Sequence, residues 1–179
     1  MSIKKNEILD WAKSILVAVI VAIIIKTFIL QGTKIKGASM NPTLENNDML
    51  FINKAIYIAD EPKRGDIAIL KAFDNPSKEY YIKRIIALEG ETIKITNGKI
   101  FIDGEKLQEK YLKEDTYTTT YKKCEWKIPK NHVFVLGDNR KVSYDSRIFG
   151  PVSAEIIKGK AFFRVYPFGD SFGGIYKDM

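Results

Sequence analysis

Hydrophobic residues occur in two patterns along this chain, one long apolar run and then many short alternating runs. The long run covers residues 8–30 and is dominated by Ile, Val, Leu, Ala and Phe. Its Lys13 and Lys26 can extend toward opposite interfaces of a bilayer, and Trp11 suits an interfacial position. A helix of about 23 residues at ~1.5 Å per residue spans a hydrocarbon core of about 30 Å. The run therefore predicts a transmembrane anchor at residues 8–30.

The lysines around this run predict its orientation. Lys4, Lys5 and Lys13 lie before it or at its start, and cytoplasmic flanks carry an excess of such charges. Residues 1–7 are therefore expected in the cytoplasm and residues 31–179 on the outer side of the cell membrane. No second run of comparable length follows in the sequence, which predicts a single-pass protein. The alternatives to an anchor are a cleavable signal peptide and a buried helix of a soluble protein.

Beyond residue 30 the pattern is typical of β-strands. Short runs rich in β-branched and aromatic residues are bounded by turn residues. These runs cover residues 49–52, 66–70, 80–87, 132–136 and 160–165. The sequence therefore predicts a mostly β domain with antiparallel sheets, preceded by one membrane helix.

One part of the β pattern stands apart, at about residues 90–130. An Asn-Gly pair at 97–98 joins two alternating runs and predicts a hairpin, because both turn residues accept positive φ. Residues 106–130 are polar and rich in threonine, lysine and glutamate. This part is interpreted as a β-ribbon excursion, and its polar half as either an extended ribbon or a flexible segment.

Composition narrows the classes of function. The net charge of +7 suits an anionic partner, but the basic residues form no dense block and no aromatic-interleaved motif. A membrane surface is therefore preferred to nucleic acid as that partner. Cys124 is the single cysteine, which excludes an internal disulfide. His132 is the single histidine and stands at the entry of a predicted strand, so neither a Ser-His-Asp triad nor a histidine-rich metal site is expected.

The turn at residues 37–44 carries the first candidate for chemistry. Gly37 begins a sharp turn, Ser39 supplies a hydroxyl, and Pro42 fixes the backbone that follows. A serine in such a turn often only bonds its own backbone. The alternative is a nucleophile, which needs a base nearby.

Lys83 is the candidate base. In an alternating strand Tyr81, Lys83 and Ile85 share one face, so the lysine is either an edge residue that extends to solvent or a partly buried one. Burial disfavours the ammonium form and would lower the pKa of Lys83. A neutral amine can take the proton of a serine hydroxyl. Contact between Ser39 and Lys83 is an inference, because the two residues are distant in the sequence.

Residues 137–147 are dense in groups that hydrogen-bond to backbone and to one another. Most of them suit a structural loop held by Asp–Arg pairs. Ser143 and Asp145 are the better candidates for groups that fix the lysine and its surroundings.

Taken together, these stretches resemble the bacterial type I signal peptidases, in their compact Gram-positive-like form. The order along the chain is an anchor, Ser-Met-Asn-Pro-Thr-Leu at 39–44, Arg-Gly-Asp-Ile at 64–67 and Tyr-Ile-Lys-Arg-Ile-Ile at 81–86. Gly-Asp-Asn-Arg at 137–140 follows, with Ser143, Asp145, Ser146 and Arg147. Each motif alone is weak, whereas four in order behind an anchor are specific and cover nearly the whole chain.

The resemblance implies a membrane-bound serine endopeptidase that removes signal peptides from exported preproteins after small residues at −1 and −3. Ser39 would be the nucleophile and Lys83 the general base, and no metal or organic cofactor is implied. Ser143 would hydrogen-bond to the lysine, and Asp145 would form a supporting ion pair with Arg147. The implied partners are signal peptides and the lipid bilayer, with functional interplay with the export machinery.

The resemblance also implies where a substrate binds. The signal peptide would add as an extended strand between the segments before the serine and before the lysine. The implied substrate-binding residues are Ile35, Lys36, Gly37, Met40, Leu44, Tyr80, Tyr81 and Ile82.

Three positions depart from the family pattern. Gly37 stands where some members have a serine whose hydroxyl helps to bind the oxyanion, so the Ser39 N–H and a neighbouring group would have to serve. Residues 87–90 lack the usual proline, and Asn47 replaces a usual glycine, although Asn also adopts the left-handed conformation.

Two other functions compete with this one. A regulatory autoprotease that resembles the SOS-response repressors would share the Ser/Lys pair, but the apolar N-terminal run argues against it. An inactive membrane-anchored module that captures exported chains would have no need to keep Ser39 and Lys83 together.

Overall fold

The computed structural model describes residues 5–24, 30–76, 79–169 and 171–176. Helix α1, Lys5–Ile24, contains most of the apolar run, and its side chains from residue 7 to residue 23 are exposed. Within the described ranges no helix has both the length and the apolar character needed to cross a membrane. Residues 25–29 of the predicted anchor, Lys26 among them, lie outside the described residues.

Two antiparallel sheets make up the rest of the chain and confirm the mostly β prediction. The larger sheet contains β1 Leu30–Lys34, β2 Met49–Asn53, β3 Ile67–Lys71, β4 Tyr80–Ala87, β9 His132–Leu136, β10 Val152–Ser153, β11 Ile157–Tyr166 and β12 Gly173–Gly174. Its order is β1-β2-β11-β3-β4-β9-β10, with β12 beside β11. The smaller sheet has the order β7-β6-β5-β8, from β5 Thr92–Thr96, β6 Lys99–Ile102, β7 Glu105–Lys106 and β8 Glu125–Lys127. Two short helices complete the elements, α2 Ile56–Ala59 and α3 Ser146–Phe149.

The predicted hairpin is the turn between β5 and β6. Asn97 and Gly98 have φ of 50° and 74°, as the Asn-Gly signal requires. The register pairs Thr96 with Lys99 and Ile93 with Ile102. Because the register keeps the isoleucines of both strands on one face, the hairpin presents an apolar surface to the larger sheet.

Residues 107–124, here called the connecting segment, join β7 to β8 without forming a strand. The Leu107 N–H donates to the Ile100 carbonyl at 2.9 Å, and the Thr118 N–H donates to the Gly98 carbonyl at 3.0 Å. The partly buried Leu107 and Tyr111 pack on the core. The segment is therefore packed along the smaller sheet.

One hydrophobic cluster joins the two sheets. Trp126 of β8 packs on Phe134 of β9 with ring centroids 4.9 Å apart, together with apolar residues of β4, β5 and β6. A second cluster lies under the turn that carries Ser39 and includes Met40, Leu44 and Leu50. The first cluster includes Ile86 and Ala87 at the C-terminal end of β4, and Ile82, next to Lys83, packs against the second.

Candidate active site

The turn at residues 37–44, which holds Ser39, is fixed by side chains that pack in the core and by hydrogen bonds. Met40 and Leu44 are 1% and 0% exposed, and the Leu44 N–H donates to the Met40 carbonyl at 3.0 Å. Gly37 has φ of 99°, and its N–H donates to Asn46 Oδ1 at 2.9 Å. Asn47 has φ of 77°, which is the left-handed conformation expected of a residue at a glycine position.

Lys83 and Ser39 are in direct contact. Lys83 Nζ donates to Ser39 Oγ at 2.9 Å, and the lysine residue is only 3% exposed. Its neighbours on the same strand face, Tyr81 and Ile85, are 6% and 0% exposed. Of the two alternatives left open for Lys83, the structure therefore shows the buried one, and the inferred contact between the two residues is present.

Residues 137–143 pack directly on the backbone of Ser39. The Asn139 N–H donates to the Ser39 carbonyl at 3.0 Å. A Cβ atom added to Gly137 would collide with both the Ser39 carbonyl oxygen and the Ser143 side chain. This close approach explains why a glycine stands at position 137.

The predicted Asp145–Arg147 ion pair is present and completely buried. Arg147 Nε and Nη2 donate to the two carboxylate oxygens of Asp145 at 2.8 and 2.9 Å, and both side chains are 0% exposed. Asp145 Oδ2 also accepts from the Gly137 N–H at 3.1 Å, and Arg147 Nη2 donates to the Ser143 carbonyl at 3.2 Å. The pair therefore holds both ends of the stretch that packs on Ser39.

The prediction for Ser143 needs a correction. The residue is 3% exposed, but its Oγ forms no hydrogen bond with any of the residues that the structure describes. The expected bond to Lys83 is therefore not formed in this structure, where the hydroxyl lies beside Gly137. Ser143 still lies in the loop that contacts Ser39.

A second buried ion pair was not predicted from the sequence. Arg84 Nε and Nη2 donate to the carboxylate of Asp138 at 2.9 and 2.7 Å, with side chains 1% and 0% exposed. Arg84 also donates to the Gly65 carbonyl and to Thr43 Oγ1, at 2.9 and 3.3 Å. The available signal was an arginine inside an apolar strand, since such a charge needs a buried partner.

The implied substrate-binding residues divide into two groups. Lys36, Gly37 and Tyr80 are exposed, and Ile82 is half-buried. The others are buried, namely Ile35, Met40, Leu44 and Tyr81. Met40 and Leu44 present almost no surface to a ligand in this structure, so they act here as core residues of the serine turn, and their contact with a substrate stays a prediction.

Tyr81 is excluded as a competing base beside Lys83. Its hydroxyl donates to Asp74 Oδ1 at 2.6 Å, and burial together with this carboxylate raises the pKa of Tyr81 to about 12. The phenol therefore stays protonated near neutral pH. Lys83 Nζ is the basic group that contacts Ser39 Oγ.

Several known proteins have sequences similar to this chain. The protein family described as "Signal peptidase, peptidase S26" matches residues 8–166. A signal peptidase I of Bacillus amyloliquefaciens is 38% identical over 175 residues, covering 93% of this chain and 92% of that protein. Signal peptidase I S of Bacillus subtilis (strain 168) is 39% identical over 176 residues, covering 93% and 94%.

A solved structure is also similar. The crystal structure of a signal peptidase I from Enterococcus faecalis V583 has 32% sequence identity and a TM-score of 0.48, covering 56% of this chain and 97% of that one. The family match extends over most of the chain, and the relatives match it nearly end to end. The chain therefore belongs to the signal peptidase family, peptidase S26, and is a serine endopeptidase.

Proposed function

We propose that this chain removes N-terminal signal peptides from exported preproteins, with Ser39 as nucleophile and Lys83 as general base. The observation that carries the proposal is the 2.9 Å contact between Lys83 Nζ and Ser39 Oγ in a buried setting. The names of the relatives, signal peptidase I, support the choice of substrate. Cleavage after small residues at −1 and −3 follows from the resemblance and belongs to the same proposal.

The first half of the reaction forms an acyl-enzyme. Neutral Lys83 takes the Ser39 proton as Oγ attacks the scissile carbonyl carbon, which gives a tetrahedral intermediate. When this intermediate collapses, the peptide C–N bond breaks and the lysine ammonium returns the proton to the leaving amine. The mature protein departs, and the signal peptide stays as an ester on Ser39.

The second half releases the signal peptide. Lys83, neutral again, takes a proton from a water molecule that attacks the ester carbonyl. The ester C–O bond breaks, and the lysine returns the proton to Ser39 Oγ. Burial of Lys83 favours both halves of the reaction. Desolvation disfavours the ammonium form, which cannot act as a base, and so favours the neutral amine.

The oxyanion of each intermediate needs hydrogen-bond donors. The Ser39 N–H is one donor in this proposal, and the Asn139 N–H that donates to the Ser39 carbonyl fixes the orientation of that residue's backbone. Gly37 has no hydroxyl to contribute, so a second donor would come from a neighbouring group. Loss of one such donor reduces the rate about 10²–10³-fold.

The substrate would bind as an added strand beside the dyad. Ile35 and Ile82, from the two segments that would flank it, belong to one hydrophobic cluster, so these segments lie close together. Backbone hydrogen bonds would tolerate varied sequences, whereas pocket shape would restrict the −1 and −3 side chains. Lys36, Gly37 and Tyr80 offer the exposed surface for this contact.

The proposal includes anchoring in the cell membrane through residues 8–30, with residues 1–7 cytoplasmic and residues 31–179 on the outer side. It is supported by α1, where Trp11 is 72% and Ile15 is 59% exposed. An apolar surface of this extent is a membrane or protein interaction site in other proteins. Anchoring would confine enzyme and signal peptide to one interface, beside the export machinery, and so raise their effective concentration.

The test is a cleavage assay on a preprotein with small residues at −1 and −3. Detergent-solubilised wild type is compared with Ser39→Ala and Lys83→Ala, and the new N-terminus is sequenced. We expect cutting by the wild type alone, directly after the −1 residue. Equal cutting by the variants would contradict the dyad, and no cutting of several preproteins by any form would favour a binding module instead.

A further inference from the structure

Three arginines from the motifs around the dyad reach the connecting segment, residues 107–124. The Arg84 guanidinium lies 3.8 Å from the ring centroid of Tyr111. Arg147 Nη1 donates to the Thr119 carbonyl at 3.3 Å. Arg140 makes the most extensive contact of the three. The connecting segment is thus attached to the strand that contains Lys83 and to the loop that packs on Ser39.

Arg140 is held by a carboxylate of the connecting segment. Its Nη2 donates to Glu109 Oε1 at 2.5 Å and its Nη1 to Glu109 Oε2 at 3.3 Å. Nη1 also donates to Thr118 Oγ1 at 2.6 Å, and the Tyr111 hydroxyl donates to Glu109 Oε1 at 2.7 Å. The arginine is 2% exposed, so Glu109 balances a buried charge.

The other side of Arg140 holds the loop that packs on Ser39. Arg140 Nε donates to the Gly137 carbonyl at 3.1 Å. Gly137 is the residue whose Cα lies too close to the Ser39 carbonyl for a side chain. A continuous path of contacts therefore runs from Glu109 through Arg140 and Gly137 to Ser39.

We propose that Glu109 is a positioning residue for the reaction, which orients Ser39 toward Lys83 by fixing Arg140 against Gly137. The inference rests on the proposed function, because it assigns Glu109 a task in the chemistry of that dyad. Without the Glu109 carboxylate, the carboxylate of Asp138 is the remaining nearby charge that attracts Arg140, and Asp138 is already paired with Arg84. A shift of Arg140 toward Asp138 would pull on Gly137. A displacement of about 1 Å at reacting atoms can reduce a rate about 10²-fold.

The experiment compares full-length Glu109→Gln with the wild type in the cleavage assay. The amide keeps the shape of the side chain but loses its charge. We expect kcat to fall about 10–100-fold while KM stays within about twofold, because Glu109 contacts Arg140 and Tyr111, neither of which is a proposed substrate-binding residue. Glu125→Gln is the matched control, since it removes a carboxylate of β8 whose partner Lys94 is 53% exposed. An unchanged kcat for Glu109→Gln would overturn the proposal.

A double variant separates positioning from simple charge balance. Glu109→Gln with Arg140→Gln leaves no unpaired buried charge, so its folding stability should recover. If Glu109 positions Ser39, kcat should stay low in the double variant. It should be no lower than in Arg140→Gln alone, because both residues act through the same contacts with Gly137. Recovery of kcat together with stability would show that Glu109 only balances the charge, and would overturn the proposal.

A readout without turnover keeps this inference distinct from the proposed function. The amide ¹H–¹⁵N shifts of Ser39 and Asn139 should change in Glu109→Gln and stay at their wild-type values in Glu125→Gln. If the wild type fails to cut preproteins, the proposed function is wrong, and the shifts still decide whether Glu109 holds the loop. Unchanged shifts of both amides would contradict that role.

Discussion

Apolar residues usually lie inside a protein and charged residues outside. Helix α1 and the loop at residues 137–147 both depart from this distribution, each with a different class of residue. In α1 the apolar side chains are exposed, as Leu16 and Val17 show at 59% each. In the loop every charged residue except Lys141 is buried, as Asp138 and Arg140 show at 2% each. The apolar surface of the first region is therefore unsuited to water. In the second region each buried charge is paired, Asp145 with Arg147 inside the loop, and Asp138 and Arg140 with Arg84 and Glu109 outside it.

The difference shows how each region relates to function. A buried charge is tolerated when it is paired and hydrogen-bonded, and such pairs fix geometry more than they add stability. The loop uses this property to hold Gly137 and Asn139 against Ser39. An exposed apolar helix has no partner within the described residues, so its function depends on a surrounding outside the chain, which we propose to be the bilayer.

The largest effect is expected when a buried pair is broken. Asp145→Asn leaves the Arg147 guanidinium without its counter-charge, and breaking a buried pair costs about 3–5 kcal/mol of folding free energy. Glu125→Gln at the exposed Lys94–Glu125 pair should cost about 0–1 kcal/mol. Denaturant unfolding of both variants measures the contrast. Similar small decreases in the free energy of unfolding of the two variants would show that the buried pair contributes no more to stability than the exposed pair.

A charge in the exposed helix should act on membrane association and leave the fold intact. Ile20→Lys places a lysine near the middle of the apolar run, which costs about 2.5–3.5 kcal/mol on insertion scales. Ile58→Lys is the control, because Ile58 is an 84% exposed apolar residue of α2. In sedimentation with anionic phospholipid vesicles, the Ile20→Lys variant should remain in the supernatant and the Ile58→Lys variant should sediment with the vesicles. Equal retention of both would contradict the anchor.

A smaller but more local change tests the packing on Ser39. Gly137→Ala adds a methyl group that meets the Ser39 carbonyl and the Ser143 side chain, so the loop and the serine must move apart. We expect kcat to fall about 10²-fold. Gly104→Ala is a suitable control, because a Cβ there meets no heavy atom within 4 Å, although its φ of 88° adds some strain. Wild-type kcat for Gly137→Ala would show that the loop does not position Ser39.

Local features of the fold could be predicted from the sequence because they depend on neighbouring residues. The hairpin at Asn97 and Gly98 and the strand His132–Leu136 required only turn chemistry and alternation. Strand β1, Leu30–Lys34, was missed, since its first residue continues the apolar run and its polar remainder has no strand pattern.

The site could be predicted only in part, because its contacts are long-range. Ser39 and Lys83 are 44 positions apart, and their pairing came from the resemblance of whole motifs to a family. Arg84–Asp138 and Arg140–Glu109 span 54 and 31 positions. The pattern of neighbouring residues indicates that an arginine is buried, but it does not show which distant carboxylate will pair with it.

We propose that a buried, neutral lysine activates Ser39, and the pH dependence of kcat/KM reports the ionisation of that lysine. Activity requires the neutral amine, so the rate should rise as pH rises through the pKa of Lys83, which we expect burial to lower below the ordinary value of about 10.4. Tyr81 cannot produce this rise, because burial and Asp74 raise the pKa of Tyr81 to about 12. A rise with its midpoint well below 10.4 in the wild type, absent in Lys83→Ala, is the predicted result. Activity that begins only near the ordinary lysine value, or an unchanged profile in Lys83→Ala, would contradict the claim.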